Sequence, residues 1–247
     1  MKSFYLTDVG KVRSHNEDSV IILKNVNDEY LLAVADGMGG HRAGEIASSI
    51  AISYLGKHFQ ETFYNLDKES AIIWINESVT SINNQIFEYE KTNPESVGMG
   101  TTLVLALYTK DYLLFGNIGD SSGYVVKNNK LHKVTVDHSL VNLLVEAGEI
   151  TEDEARDHPR KNVLMKALGA SPSVDADVFD CDTNISGVLL ASDGLTNMLE
   201  DCKIEDVINS QDEIEEKIVG LIQKANNLGG IDNISVAYLE KEEEGGK

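Results

Sequence analysis

The segment EYLLAVADGMGGHRAGEIASSIAISYL, Glu29 to Leu55, passes from an apolar run through an acid and a cluster of glycines into a helical pattern. Glu29 to Ala35 reads as a strand, and Asp36, Gly37, Gly39 and Gly40 follow it. From Ala43 the apolar or small residues fall at Ile46, Ala47, Ile50, Ala51, Tyr54 and Leu55, the spacing of an amphipathic helix. A carboxylate closing a greasy run is costly unless something compensates its charge. The expected compensation is a metal ion.

Working outward, Ser19 to Lys24 reads as a strand joined to the first by a turn containing Asn25, Asn27 and Asp28. A longer helix is predicted over Lys68 to Lys91, with Ile72, Ile75, Val79, Ile82, Ile86 and Tyr89 on one side. Thr102 to Thr109 and Tyr112 to Ile118 flank Lys110-Asp111 as a hairpin, and Gly123 to Lys127 pairs with Leu131 to Val136 around Asn128-Asn129. Leu140 to Leu168 is mixed and polar. Gly187 to Ala191 is a buried strand, Ile214, Ile218, Leu221, Ile222 and Ala225 trace a helix, and Ile234 to Leu239 is a closing strand. Strands in adjacent pairs with helices grouped between them predict an α+β fold of mainly antiparallel sheets covered by helices.

With 3 prolines and no Pro/Gly/Ser-rich linker in 247 residues, one domain over residues 1–241 is expected, and the polar end at 242–247 is expected to fray. The formal charge of −20 disfavours nucleic acid and anionic membranes as partners. Most of that charge is a solvated surface. Cys181 and Cys202 form no C-x-x-C pair, so neither a zinc knuckle nor a disulfide framework is suggested. No apolar leader precedes Arg13, and no run approaches the ~18 apolar residues of a membrane span, so a cytoplasmic protein is expected.

Asp36 has counterparts. Asp120 follows LLFGNIG, Asp193 follows GVLLAS, and Asp232 precedes NISVAYL, each at the boundary of a predicted strand. A single Asp-Gly at such a place is most often a turn. Jointly, acids brought to one rim could not all ionise without a highly charged counter-ion. A neighbouring glycine lets a backbone carbonyl approach as a further ligand. These donors are hard oxygens, which select Mg2+ or Mn2+ over zinc or copper.

In chain order, RSHNED (Arg13 to Asp18), DGMGGH (Asp36 to His41), GTT (Gly100 to Thr102), GDS (Gly119 to Ser121), DHS (Asp137 to Ser139), HPRKNVLMKALG (His158 to Gly169), SDGL (Ser192 to Leu195) and GGIDN (Gly229 to Asn233) resemble the metal-dependent serine/threonine phosphatases of type 2C, the PPM family, in its bacterial branch. The resemblance runs from Thr7 to Leu239. It implies a four-layer α-β-β-α sandwich of two antiparallel sheets flanked by helices. It also implies a catalytic centre of Asp36, Asp193 and Asp232 around two Mn2+ or Mg2+ ions. Asp36 would bridge the ions, the Gly37 carbonyl would bind one, and Asp193 and Asp232 would hold the other. Glu17 and Asp18 would act through bound waters, and Asp120 with Asp193 would take a third ion. Arg13 would grip the phosphate of a phosphoserine or phosphothreonine, attacked in line by metal-activated water without a phosphoenzyme. Phosphorylated proteins are the implied partners, with a bacterial serine/threonine kinase as the activity opposed.

The chain departs from the family pattern in places. Met38 stands where many animal members carry a histidine general acid, so the leaving group would take its proton from a bound water. His41 is assigned no catalytic role. Ser122 and Lys166 each replace a family arginine, the first with an expected effect on strand packing or substrate contacts. Leu140 to Lys161 corresponds to the variable flap beside the cleft, either a mobile substrate-selecting segment or a structural excursion. Gly119 to Gly123 also matches G-x-S-x-G, but that nucleophile elbow needs a following helix, and a hairpin is predicted. The competing function is a phospho-protein or metal-dependent binding module of the same fold with weak catalysis.

Overall fold

Tyr30–Met38 forms a strand, β3, buried on both faces, which is why its sequence is a continuous apolar run. Leu31, Ala33 and Ala35 enter one core, while Tyr30, Leu32 and Val34 enter another. The computed structural model describes residues 1–40 and 43–242, without the side chain of Arg156. His41 and the tail from residue 243, including most of the segment expected to fray, lie outside the described residues.

The remaining strands are β1 (Lys2–Asp8), β2 (Asp18–Lys24), β4 (Gly100–Thr101), β5 (Leu103–Tyr108), β6 (Leu113–Ile118), β7 (Ser122–Lys127), β8 (Lys130–Lys133), β9 (Asp177–Cys181), β10 (Gly187–Ala191) and β11 (Ile234–Glu240). The helices are α1 (Ala43–Thr62), α2 (Lys68–Thr92), α3 (Leu140–Glu146), α4 (Glu152–Arg156), α5 (Asp193–Thr196), α6 (Asp201–Ile208) and α7 (Ile214–Asn227). One sheet has the order β1-β11-β10-β7-β8, the other β2-β3-β5-β6-β9 with β4 beside β3, and every described pairing is antiparallel. The expected strands and hairpins are present, although β8 ends at Lys133 and not at Val136; β1, β4, β9, α5 and α6 are additions to them.

Local chemistry sets the turns. Asn25 Oδ1 accepts from the N–H groups of Asn27 and Glu29 between β2 and β3. Asn128 and Asn129 adopt φ of 53° and 58°, the left-handed pair of a tight hairpin between β7 and β8. Asp67 caps α2 by accepting from Ser70 N at 2.7 Å.

Three apolar cores stack these elements into the four expected layers. One lies between the β3 sheet and α1 and α2, with Trp74, Ile75 and Leu105 at its heart. A second lies between the β11 sheet and α5, α6 and α7, with Tyr238, Ile218 and Leu221. The third joins the two sheets through Val34, Phe115, Leu190 and Ala237. Among the described residues no helix is long and apolar enough to cross a membrane.

Candidate active site

The even-numbered residues of β3 face the inter-sheet core, so Asp36 continues the row of Leu32 and Val34 to the rim where the sheets end. It lies inside β3 and not just beyond it, because β4 prolongs the pairing to Met38. Asp18 opens β2 directly opposite Asp36 in the register. From the other sheet, Ser192 and Asp193 follow β10, and Asp232 precedes β11. Asp120 lies on the short link from β6 in one sheet to β7 in the other. The site is therefore the shared end of both sheets.

Hydrogen bonds fix the backbones that carry these acids. The Asp36 carbonyl accepts from Thr101 Oγ1 and Thr102 N, each at 2.9 Å, while Asp36 N donates to Thr102 Oγ1 at 3.0 Å. Ser192 Oγ donates to Asp18 Oδ2 at 2.8 Å. Asn197 Nδ2 donates to Asp193 Oδ2 at 3.0 Å. Asn233 binds Glu17 N through Oδ1 at 2.8 Å and the Val9 and His15 carbonyls through Nδ2. Arg13 Nη2 donates to Asp232 Oδ2 at 2.8 Å. The supporting role of Asn233 carries no sequence signal beyond the motif that contains it, since its partners Glu17, Val9 and His15 are distant in the chain, whereas Asn197 lies only four residues from Asp193.

The acids behave electrostatically as one group. Burial, then the charges of Asp18, Asp193, Asp120 and Asp232, pushes the Asp36 carboxyl well above the aspartate range. Burial, then Asp232, raises Asp193 against the opposing effects of Asp36, Arg13 and Asn197. Burial raises Asp18 to about 7 despite its serine hydrogen bonds. Burial, with Asp193 and Asp137, raises Asp120 to about 7. Burial also raises Glu17, opposed by Arg13. The structure thus brings together Arg13, Glu17, Asp18, Asp36, Gly37, Asp120, Asp193 and Asp232.

This arrangement fits a hard cation. Asp18 Oδ1 and Asp193 Oδ1 are buried without a hydrogen-bond partner. A Cβ at Gly37 would fall 2.1 Å from the Gly44 carbonyl oxygen and 2.5 Å from that of Glu17, so only glycine admits this close backbone contact. Among the described residues no group of three or more His, Cys, Asp or Glu side chains closes on one ion unaided. Mg2+-type ions keep several waters and are held by only one or two carboxylates, so such a site does not require three converging side chains.

A carboxyl group with a raised pKa holds its proton in the fold where the unfolded chain has released it, so ionisation costs stability. The metal-free protein should therefore lose stability as pH rises from the aspartate range through about 7. A thermal melt in chelator should move down by roughly 5 °C between about pH 5 and pH 8, and Mn2+ should restore the melt most strongly at the upper end. A pH-independent melt unaffected by Mn2+ would contradict this cause.

Asp120 and Asp193 also border a cleft of about 750 Å³ that Ser139, Val141, Ala155 and Lys161 line as well. Ser122 is fully buried in β7 opposite Ala191, so the residue that replaces arginine belongs to the packing and not to the exposed cleft surface. G-x-S-x-G leads from β6 into β7, without the helix that a nucleophile elbow requires.

A family model described as Protein phosphatase 2C matches residues 11–217. The serine/threonine phosphatase stp of Listeria welshimeri is 41% identical over 242 residues, covering 98% of this chain and 96% of that protein. Protein phosphatase PhpP of Streptococcus pneumoniae is 37% identical over 246 residues, covering 99% of each. The solved S. agalactiae serine/threonine phosphatase superposes with a TM-score of 0.91 at 37% identity, covering 98% of this chain and 99% of that one.

Proposed function

Since this chain belongs to the protein phosphatase 2C family and is a serine/threonine protein phosphatase, we propose that it hydrolyses phosphoserine and phosphothreonine in proteins on the carboxylate floor between its two sheets. The observation that carries this reading is the meeting of Asp36, Asp193 and Asp232 beside Arg13. Asp36, the Gly37 carbonyl, Asp193 and Asp232 would hold two Mn2+ or Mg2+ ions, Asp120 and Asp193 a third, and Glu17 and Asp18 would act through water. When bound, such ions supply a deprotonated solvent nucleophile near neutral pH and offset the charge on the phosphoryl oxygens.

The protein's own groups do the positioning. Arg13 is anchored to Asp232 through one nitrogen, and its planar fork has further N–H donors to orient the phosphoryl oxygens. Asn197 holds one oxygen of Asp193, leaving the buried Oδ1 without a protein partner. Met38 has no proton to give, so the leaving serine or threonine oxygen would take its proton from a bound water as its P–O bond breaks. A formal charge of −20 does not prevent phosphoprotein binding, because exposed charges are screened beyond ~8 Å.

The phosphatase unit in this reading is one domain over residues 1–241, since both sheets furnish ligands. Residues 140–161 act as a flap that selects substrates, consistent with their place along the cleft wall. A serine/threonine kinase and its substrates are the natural partners of such an activity, which is read as cytoplasmic.

Turnover of p-nitrophenyl phosphate and a phosphothreonine peptide, with Mn2+ and with chelator, tests this reading. Metal-dependent release of phosphate from both is expected; absence of turnover on either would favour a binding module. A charge-assisted hydrogen bond contributes about 1.5–3 kcal/mol, so Arg13→Ala should lower kcat/KM on the peptide roughly 10- to 100-fold. Unchanged steady-state constants would remove Arg13 from the phosphate site.

A further inference from the structure

Gly119 begins the link that carries Asp120 from β6 to β7. Its φ is +103°, and an added Cβ would meet Thr102 Cγ2 at 2.6 Å, so the turn has a left-handed conformation suited to glycine. Both main-chain polar groups of Gly119 are engaged by one residue. Its carbonyl accepts from His138 N at 2.9 Å, and its N–H donates to His138 Nδ1 at 3.0 Å. Asn117 Nδ2 reaches the same carbonyl at 3.3 Å and the Val136 carbonyl at 2.9 Å.

An Nδ1 that accepts from a backbone N–H carries no proton, so the ring hydrogen resides on Nε2. Nε2 lies 3.0 Å from Asp177 Oδ2 on β9, and Lys166 Nζ donates to Asp177 Oδ1 at 2.7 Å. The His138 carbonyl accepts from Met165 N at 2.8 Å, and Leu140 N donates to the Val163 carbonyl at 2.8 Å. A continuous polar connection therefore runs from Lys166, at the base of residues 140–161, through Asp177 and His138 to the backbone next to Asp120.

We propose that His138 is a positioning residue for Asp120: locked in one tautomer by Asp177, it clamps the Gly119 turn and so fixes the Asp120 carboxylate beside Asp193. The inference rests on the metal-centre reading above and adds to it a connection between the flap base and Asp120. Asp177 is suited to this task. Burial opposes its ionisation, yet hydrogen bonds from Lys166 and His138 hold its carboxyl below the usual range, so it stays a charged acceptor.

The two ring nitrogens can be separated by substitution. Asparagine places an acceptor near the position of Nδ1 but does not reach Asp177; glutamine reaches toward Asp177 but withdraws the acceptor from Gly119. Mn2+ titration calorimetry on metal-depleted protein should show the weakest bound equivalent loosened ~10-fold in His138→Gln, as in Asp120→Ala, with the tighter equivalents unmoved. His138→Asn should rescue that affinity to within about 3-fold of wild type. With Mn2+ saturating the tight equivalents, kcat on a phosphothreonine peptide should fall ~10-fold in His138→Gln while KM moves less than about 2-fold. If glutamine prevents folding, Asp177→Ala, which releases the tautomer lock, should weaken the same equivalent in the same direction.

Equal Mn2+ binding in wild type, His138→Gln and Asp177→Ala would overturn the proposal. So would equal losses in the asparagine and glutamine variants, which would mark His138 as mere packing. Wild-type protein that binds no Mn2+ would instead refute the metal centre, so the two failures are distinguishable.

Discussion

Asp36→Asn should reduce Mn2+-dependent turnover by about a thousandfold or more, the loss of roughly 4 kcal/mol of transition-state stabilisation. Asp36 feels the other four aspartates of the site, with Asp18, Asp193, Asp120 and Asp232 each raising its carboxyl. Asparagine has nearly the same shape, and the backbone bonds to Thr101 and Thr102 do not involve the side chain. The fold should therefore survive. Because ionising Asp36 in the metal-free protein opposes burial and like charge, a neutral amide should leave the metal-free melting temperature equal or higher above about pH 7. Loss of turnover with a retained or raised melt identifies a ligand; near-normal turnover would remove Asp36 from the reaction, and a collapsed melt would make it a structural residue.

Gly37→Ala should act through the opposite route and damage fold and site together. The new methyl would lie 2.1 Å from the Gly44 carbonyl oxygen and 2.5 Å from the Glu17 carbonyl oxygen, both backbone atoms with little freedom to retreat. The start of α1 and the end of β3 must separate, taking the Gly37 carbonyl and Asp36 with them. A loss of about 3 kcal/mol or more is expected, above the usual range for an extra methylene because the clash is with backbone. Chemical denaturation measures it, with Mn2+ activation lost in parallel. Gly220→Ala on α7 is the contrast: its methyl would meet only Val207 Cγ1 at 4.0 Å, and a gain of about 0.5–1 kcal/mol is expected. Equal stability of Gly37→Ala and wild type would show that the contact at Gly37 is not the constraint described.

The elements legible in the sequence are those with two buried faces or a clear apolar stripe. Strands β3, β5, β10 and β11 are nearly continuous apolar runs because separate cores claim their alternating sides. Strands β1 and β9 lie at sheet edges, and their mixed, partly exposed sequences KSFYLTD and DVFDC give weak periodicity. Only eight residues long, α6 contributes just Ile204 and Ile208 as fully buried positions, too few for a helical pattern to stand out. The candidate site divides in the same way. Its aspartates are visible because strand ends and adjacent glycines mark them locally. Asn197, Asn233 and Asp177 matter through hydrogen bonds, most of them to groups brought near by the fold, a relation that residue spacing does not encode.

The most direct test of the central claim is anomalous diffraction from crystals grown in Mn2+. Two manganese peaks about 3.5–4 Å apart are expected, bounded by Asp36, the Gly37 carbonyl, Asp193 and Asp232. Carboxylates that remain bonded only to protein, with no manganese among them at saturating concentration, would contradict it.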